Sequence, residues 1–310
     1  MRYIDHAPTG RRFSRVGFGC GRLVGGASAR TSAALVERAL ALGITHFDSA
    51  PSYGLGLAED VLGACLRDCQ DATIATKVGI ARPSGGRSLS LLRRLLRPLK
   101  AVPGLSDRLA RSAAVRPAAG LFGEDDIRRS LSESLKRLRR SRLDLVFLHE
   151  PGPEVDLAAA GAILRTVTSE GLAACYGWSS NSPSAPAAGF PAYQQRVSLG
   201  PTARAGTEAL LIRHGALRAW APPLRQALAA APDLRTWCDR LGFDLADQRR
   251  HAALLATAAL ALHPGGVLLI SSSDPQRLGA VLAAIDWDRA EGDASFVTSF
   301  RSLMRGHAEP

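Results

Sequence analysis

The stretch THFDSAPSYGLGLAEDVLG, residues 45–63, decides how this chain folds. A short strand pattern ends at Asp48, and Tyr53 follows on a loop built from Pro and Gly, so both side chains can face one pocket. Two further strand patterns end in the same way. TIATKVG (73–79) delivers Lys77, and LDLVFLHEP (143–151) delivers His149. Residues at the ends of successive strands are distant in sequence, but a closed parallel barrel brings them to one rim.

The rest of the chain keeps that rhythm. Short β-branched runs alternate with Ala/Leu/Arg segments of helical period, as βαβ units and a parallel sheet require. The runs predict strands at 16–20, 45–49, 73–78, 143–149, 174–179, 193–199, 217–221 and 267–271. Helices are expected at 32–42, 58–67, 125–139, 155–169, 207–214, 245–262 and 275–285, with a terminal helix over 289–303. Gly43 and Gly171 stand where helix C-caps lead into the next strand. Eight strands make the expected fold an α/β (β/α)8 barrel, one domain spanning 1–310. One interval breaks the pattern. Gly79 to Phe122 separates the third strand from its helix by far more than a tight connection needs, so residues 80–120 read as an insertion on the rim that carries active sites.

Composition narrows the function. With 46% apolar residues and a mean hydropathy of +0.01, the chain can bury a sizeable core. Its longest apolar stretch, Ala252–Leu262, contains Thr257 and ends at His263, too short for a transmembrane helix. The N-terminal residues are charged without an apolar core, so no secretory signal is expected and a cytoplasmic location is. The five cysteines, 20, 65, 69, 175 and 238, then stay reduced. Cys65 and Cys69 share a helix face but lack a second ligand pair, and no metal site is expected.

The formal charge of +11 points at first to a polyanion. It is carried by 36 arginines and three lysines (77, 100 and 136), and much of it is local. Residues 80–120 hold nine basic residues against Asp107, and LSLLRRLLRPLK (89–100) pairs apolar with basic positions until Pro98 interrupts. A rim-packing lid accounts for such a segment, and so does contact with an acidic partner or anionic surface; no nucleic-acid partner is expected.

An acid, an ammonium, a phenol and an imidazole at one rim make chemical sense together. A phenol ionises near pH 10, so Tyr53 needs help to exchange protons near neutrality, and an adjacent Lys77 charge favours its phenolate. Asp48 would hold that lysine charged, and His149 can donate a hydrogen bond that orients a substrate oxygen. Each residue alone has an ordinary structural role, as turn former, packing group or solvated cation. Their joint placement is the signal, in a chain with three Lys and four Tyr. Side chains contain no hydride donor, so redox chemistry at a carbonyl would require a cofactor.

FDSAPSYGLGLAEDVLG, ATKVG and LDLVFLHEP, in this order and spacing, resemble the active-site segments of the aldo-keto reductase superfamily. The resemblance runs from GFGCG to SSSDPQRL and is nearest to the branch of L-galactose and threo-aldose dehydrogenases. It implies a TIM barrel, a bound NADPH or NADH, and a tetrad of Asp48, Tyr53, Lys77 and His149 with Tyr53 as general acid/base. It also implies cofactor contacts from Ser179, Asn181 and Gln194 to the nicotinamide amide, and from Ser272 and Arg277 to the adenosine end. Ser271 and Val281 depart from that last pattern. NADP(H) is expected over NAD(H).

Two glycine clusters are decoys. After Gly19 and Gly21 the third position of a dinucleotide fingerprint is Val24, and after Gly54 and Gly56 it is Glu59. The expected function is an NAD(P)-dependent oxidoreductase acting on a small carbonyl or sugar. The alternative is an NADPH-binding regulatory subunit with little turnover, against which the intact tetrad weighs.

Overall fold

Eight parallel strands close a ring in the order β3 (Val16–Gly19), β4 (His46–Asp48), β5 (Thr73–Val78), β6 (Leu143–His149), β7 (Ala173–Ser180), β8 (Ala192–Arg196), β9 (Leu210–His214) and β10 (Val267–Ile270), which returns to β3. Helices stand between successive strands from β3 to β7 and between β9 and β10, whereas β7, β8 and β9 follow one another with no helix between them among the described residues; the closed parallel ring makes the fold the expected (β/α)8 barrel. The structure is a computed structural model and describes residues 1–25, 28–83, 118–182, 189–200, 209–230, 236–237 and 248–304. The chain divides into two compact units, one of residues 19–37 and 47–179, the other of residues 1–18, 38–46 and 180–310.

In the first unit the register aligns Lys77 with Phe147 and Gly177, and His149 with Ser179. Side chains alternate along each strand, so Lys77 and His149 lie on one face of the β5–β6–β7 ladder. All six residues of β5 are buried, as expected where a parallel strand is covered on both faces. The helix Glu124–Leu138 shows why these segments are helical. Three acids open it and Lys136 and Arg137 close it, matching the helix dipole, while Ile127, Leu131, Ser134 and Leu138 bury one face at helical spacing. It packs closely on Ala58–Cys65 at Gly63, where a Cβ would stand 2.0 Å from the Arg137 carbonyl oxygen. Asp156 caps Leu157–Ser169 by accepting from the backbone N–H groups of Ala158 and Ala159 at 3.0 Å each.

The long interval after β5 has a closed base. Ile80 bridges Ala119, Ala81 N–H donates to the Ala118 carbonyl at 2.7 Å, and Leu121 N–H donates to that of Gly79 at 3.1 Å. The amphipathic 89–100 stretch lies outside the described residues.

The second unit opens with a hairpin that the sequence reading lacks, β1 (Tyr3–His6) against β2 (Arg11–Ser14), turned by Ala7–Thr9 and Gly10. Arg15 then runs inward, its Nε donating to the Gly266 carbonyl at 2.8 Å and its Nη2 to that of Leu260 at 3.2 Å. It thereby satisfies carbonyls around the C-terminus of the helix Gln248–Leu262.

One assignment is reversed. Sequence pattern predicts a helix over 207–214 and a strand over 217–221; the structure has β9 at Leu210–His214 and a helix at Ala216–Ala230. Leu210, Leu211 and Ile212 form an apolar run too short for periodicity to separate strand from helix. Pro222 and Pro223, which argue against a helix, sit inside one. Burial of Trp220, Leu224 and Leu228 gives that helix its apolar stripe.

Candidate active site

Lys77 is fully buried, and its Nζ donates to Asp48 Oδ1 at 2.7 Å and to the Ser49 carbonyl at 2.8 Å. Asp48 ends β4 and is 2% exposed, so the pair is shielded from water on both sides. The same ammonium lies 4.8 Å from the centroid of the Tyr53 ring. The imidazole of His149, at the end of β6, meets that ring edge-on at 5.9 Å. The four side chains expected at one rim therefore meet within one unit.

A tight turn presents Tyr53. Gly54, Leu55 and Gly56 all adopt left-handed backbone angles, with φ of 57°, 63° and 82°. Gly54 is the position the turn cannot exchange, since a Cβ there would lie 1.6 Å from the Leu23 carbonyl oxygen. A leucine held left-handed beside it is strained backbone, retained because the surroundings fix the turn.

The electrostatics follow from burial and neighbours. Burial pushes the Tyr53 phenol above its ordinary value; the Lys77 charge pulls it down, Asp48 pushes it up, and a hydrogen bond with Lys77 again favours the phenolate. The net direction is upward, so the ammonium moderates the phenol without overcoming burial, a difference from the sequence expectation. For Lys77 burial opposes the charge, yet Asp48 and Tyr53 together carry its pKa above the ordinary value. Near neutral pH the site thus holds a charged lysine and a protonated phenol.

The residues expected to hold a dinucleotide are distributed as follows. Ser179 is buried at the end of β7, and Asn181 is exposed just beyond it. Gln194 is buried in β8, and its Oε1 accepts no hydrogen bond among the described residues. Its neighbour Gln195 is engaged, accepting from Arg213 Nη1 at 2.9 Å. Gln194 is therefore the one with a buried acceptor open to a carboxamide donor, the chemistry a nicotinamide offers. Ser272 is bonded within its own turn, with Asp274 N–H donating to its hydroxyl at 3.1 Å. Arg277 is exposed in the first turn of the helix Pro275–Ala283.

Three neighbours of the tetrad escape the sequence reading. Cys20 is a buried thiol close enough to Asp48 and Lys77 for their charges to act on it. The Ser49 carbonyl is a backbone acceptor that no motif reveals. The partly buried Arg82 pairs with the buried Glu59 beside the Tyr53 turn; the sequence shows Arg82 only as part of a basic segment.

The profile of the Aldo/keto reductase family matches residues 15–186, more than half of the chain. Among curated relatives, D-threo-aldose 1-dehydrogenase of a Pseudomonas species is 36% identical over 150 residues, covering 46% of this chain and 42% of that protein. Aldo-keto reductase YhdN of Bacillus subtilis is 26% identical over 178 residues, covering 55% of this chain and 44% of that protein. The chain thus spans less than half the length of these relatives. Among solved structures, the holo form of aldo-keto reductase AKR11C1 from Bacillus halodurans has a TM-score of 0.67 at 18% identity, covering 100% of this chain and 97% of that one, a likeness of fold. The family match takes in β3 through β7 and all four tetrad residues, and the chain belongs to the aldo/keto reductase family.

Proposed function

We propose that this chain is an NAD(P)-dependent oxidoreductase that interconverts a carbonyl and an alcohol, with Tyr53 as general acid/base. The observation that carries the reading is a buried ammonium, Lys77, held 2.7 Å from Asp48 and 4.8 Å from the centre of the Tyr53 ring. In the reducing direction Tyr53 gives its phenolic proton to the substrate oxygen as negative charge develops there. The Lys77 charge stabilises the phenolate left behind, and Asp48 keeps that charge in place. His149 orients the substrate oxygen from the end of the neighbouring strand β6. Oxidation of an alcohol runs the same proton transfer backwards.

The hydride comes from or goes to the nicotinamide when it is bound. Gln194, Ser179 and Asn181 are the residues proposed for its carboxamide. Ser272 and Arg277 are proposed for the adenosine end, and the guanidinium of Arg277 favours NADP(H) over NAD(H). A small polar carbonyl or sugar is the proposed substrate class, supported by the likeness to a protein named as a threo-aldose dehydrogenase.

The test is a fluorescence titration with NADPH and NADH, then a panel of carbonyls and sugar alcohols followed at 340 nm. NADPH should bind more tightly than NADH. Because the Tyr53 pKa is raised, reduction should stay level through neutral pH and fall only as the phenol ionises. Oxidation should rise with pH toward that ionisation. Tight binding without turnover of any panel compound would instead favour a regulatory cofactor-binding subunit.

A further inference from the structure

We infer that Arg82 is a positioning residue that fixes the Tyr53 turn relative to the strand carrying Lys77, an inference that rests on Tyr53 being the reacting phenol. Its guanidinium reaches both flanks of the turn. Nη1 donates to the Gly56 carbonyl at 2.6 Å and to that of Pro51 at 3.3 Å, bracketing residue 53. Nη2 donates to Glu59 Oε2, and Nε lies 3.9 Å from Glu133 Oε2.

Glu59 has no exposed surface, and its other oxygen accepts from the Thr76 hydroxyl at 2.6 Å. Thr76 is the residue before Lys77 in β5. A continuous path of hydrogen bonds therefore runs from the two carbonyls around Tyr53, through Arg82 and Glu59, to the strand that supplies the ammonium. Tyr53 and Lys77 belong to different elements, and their own contact does not fix where the turn sits. Three consecutive left-handed residues would relax if the turn were released, and Arg82 grips the turn by the carbonyl of the third. Arginine suits the task because one planar fork can serve several acceptors.

A pair with a buried carboxylate could instead serve stability alone, and two variants separate the roles. Arg82→Met leaves a buried carboxylate without its partner, so Tm and kcat should both fall. Glu59→Gln combined with Arg82→Met removes the stranded charge and retains an acceptor for Thr76, but it restores nothing to the carbonyls of Pro51 and Gly56. Positioning predicts that the double variant regains most of the lost Tm, while kcat stays about 100-fold down with little change in KM. Recovery of kcat along with Tm would overturn it.

The turn can also be read without turnover. In 3-fluorotyrosine-labelled protein the residue 53 resonance, assigned by its loss in Tyr53→Phe, should be single in the wild type and split or broadened in the double variant. An unchanged resonance would overturn the clamp itself. Failure of the underlying mechanism shows separately, as full turnover in Tyr53→Phe.

Discussion

Lys77 and Arg213 are both cations buried on strands of the barrel, one in each compact unit, at 0% and 2% exposure. Their surroundings push them in opposite directions. Lys77 faces the carboxylate of Asp48 and its pKa is raised in spite of burial. Arg213 has the neutral amide of Gln195 as its hydrogen-bond acceptor, and burial lowers its pKa to about 10. Two of its nitrogens, Nε and Nη2, find no acceptor among the described residues. Burial alone therefore does not mark a working cation. A charge kept in place by a carboxylate and set beside an ionisable phenol can do chemistry, whereas a charge left with an amide adds a desolvation cost.

Breaking the first arrangement should have the largest effect. Lys77→Met strands the Asp48 carboxylate, and denaturant titration should show a loss of ~3–5 kcal/mol. Adding Asp48→Asn should return much of that stability without returning turnover, since no charge would remain beside the phenol.

Acid probes the unit that holds Arg213. His263 is held neutral there, its pKa lowered to about 3 by burial first and then by Arg213 and Arg301. A lowered folded-state pKa contributes stability that is present above the unfolded value of about 6.5 and lost as pH falls toward the folded value. Stability should therefore decline from pH 6.5 toward 4, by at most ~1.4 kcal/mol per pH unit. His263→Gln should flatten that decline in denaturant titrations at stepped pH.

The smallest effect is expected at Arg213 itself. Arg213→Met keeps the bulk and removes a buried charge that pairs with no carboxylate among the described residues, so stability should be unchanged or rise by ~1–4 kcal/mol. A loss as large as that of Lys77→Met would mean that the two buried cations are alike and would dissolve the contrast.

The sequence disclosed what depends on local chemistry at strand ends. Asp48, Tyr53, Lys77 and His149 each close a strand or follow one, so their convergence can be read once eight strands are recognised. The reversal at 207–221 arose where that local signal is weak. Leu210–Ile212 has neither alternation nor length, and the choice between strand and helix is made by the neighbouring strands β8 and β10. Arg82 was legible as a charge but not as a clamp, because its partners are two carbonyls and a glutamate more than twenty residues away. The resemblance singled out Gln194 over Gln195, and what the sequence could not show is that Arg213 engages the neighbour, Gln195.

The central claim, that the phenol of Tyr53 moves the proton, is tested most directly by kcat of Tyr53→Phe on a substrate the wild type turns over, with cofactor affinity measured on the same protein. Affinity should be retained and kcat should fall ~10²–10⁴-fold, the contribution of a positioned acid/base. A kcat within a few-fold of wild type at the same affinity would contradict the account.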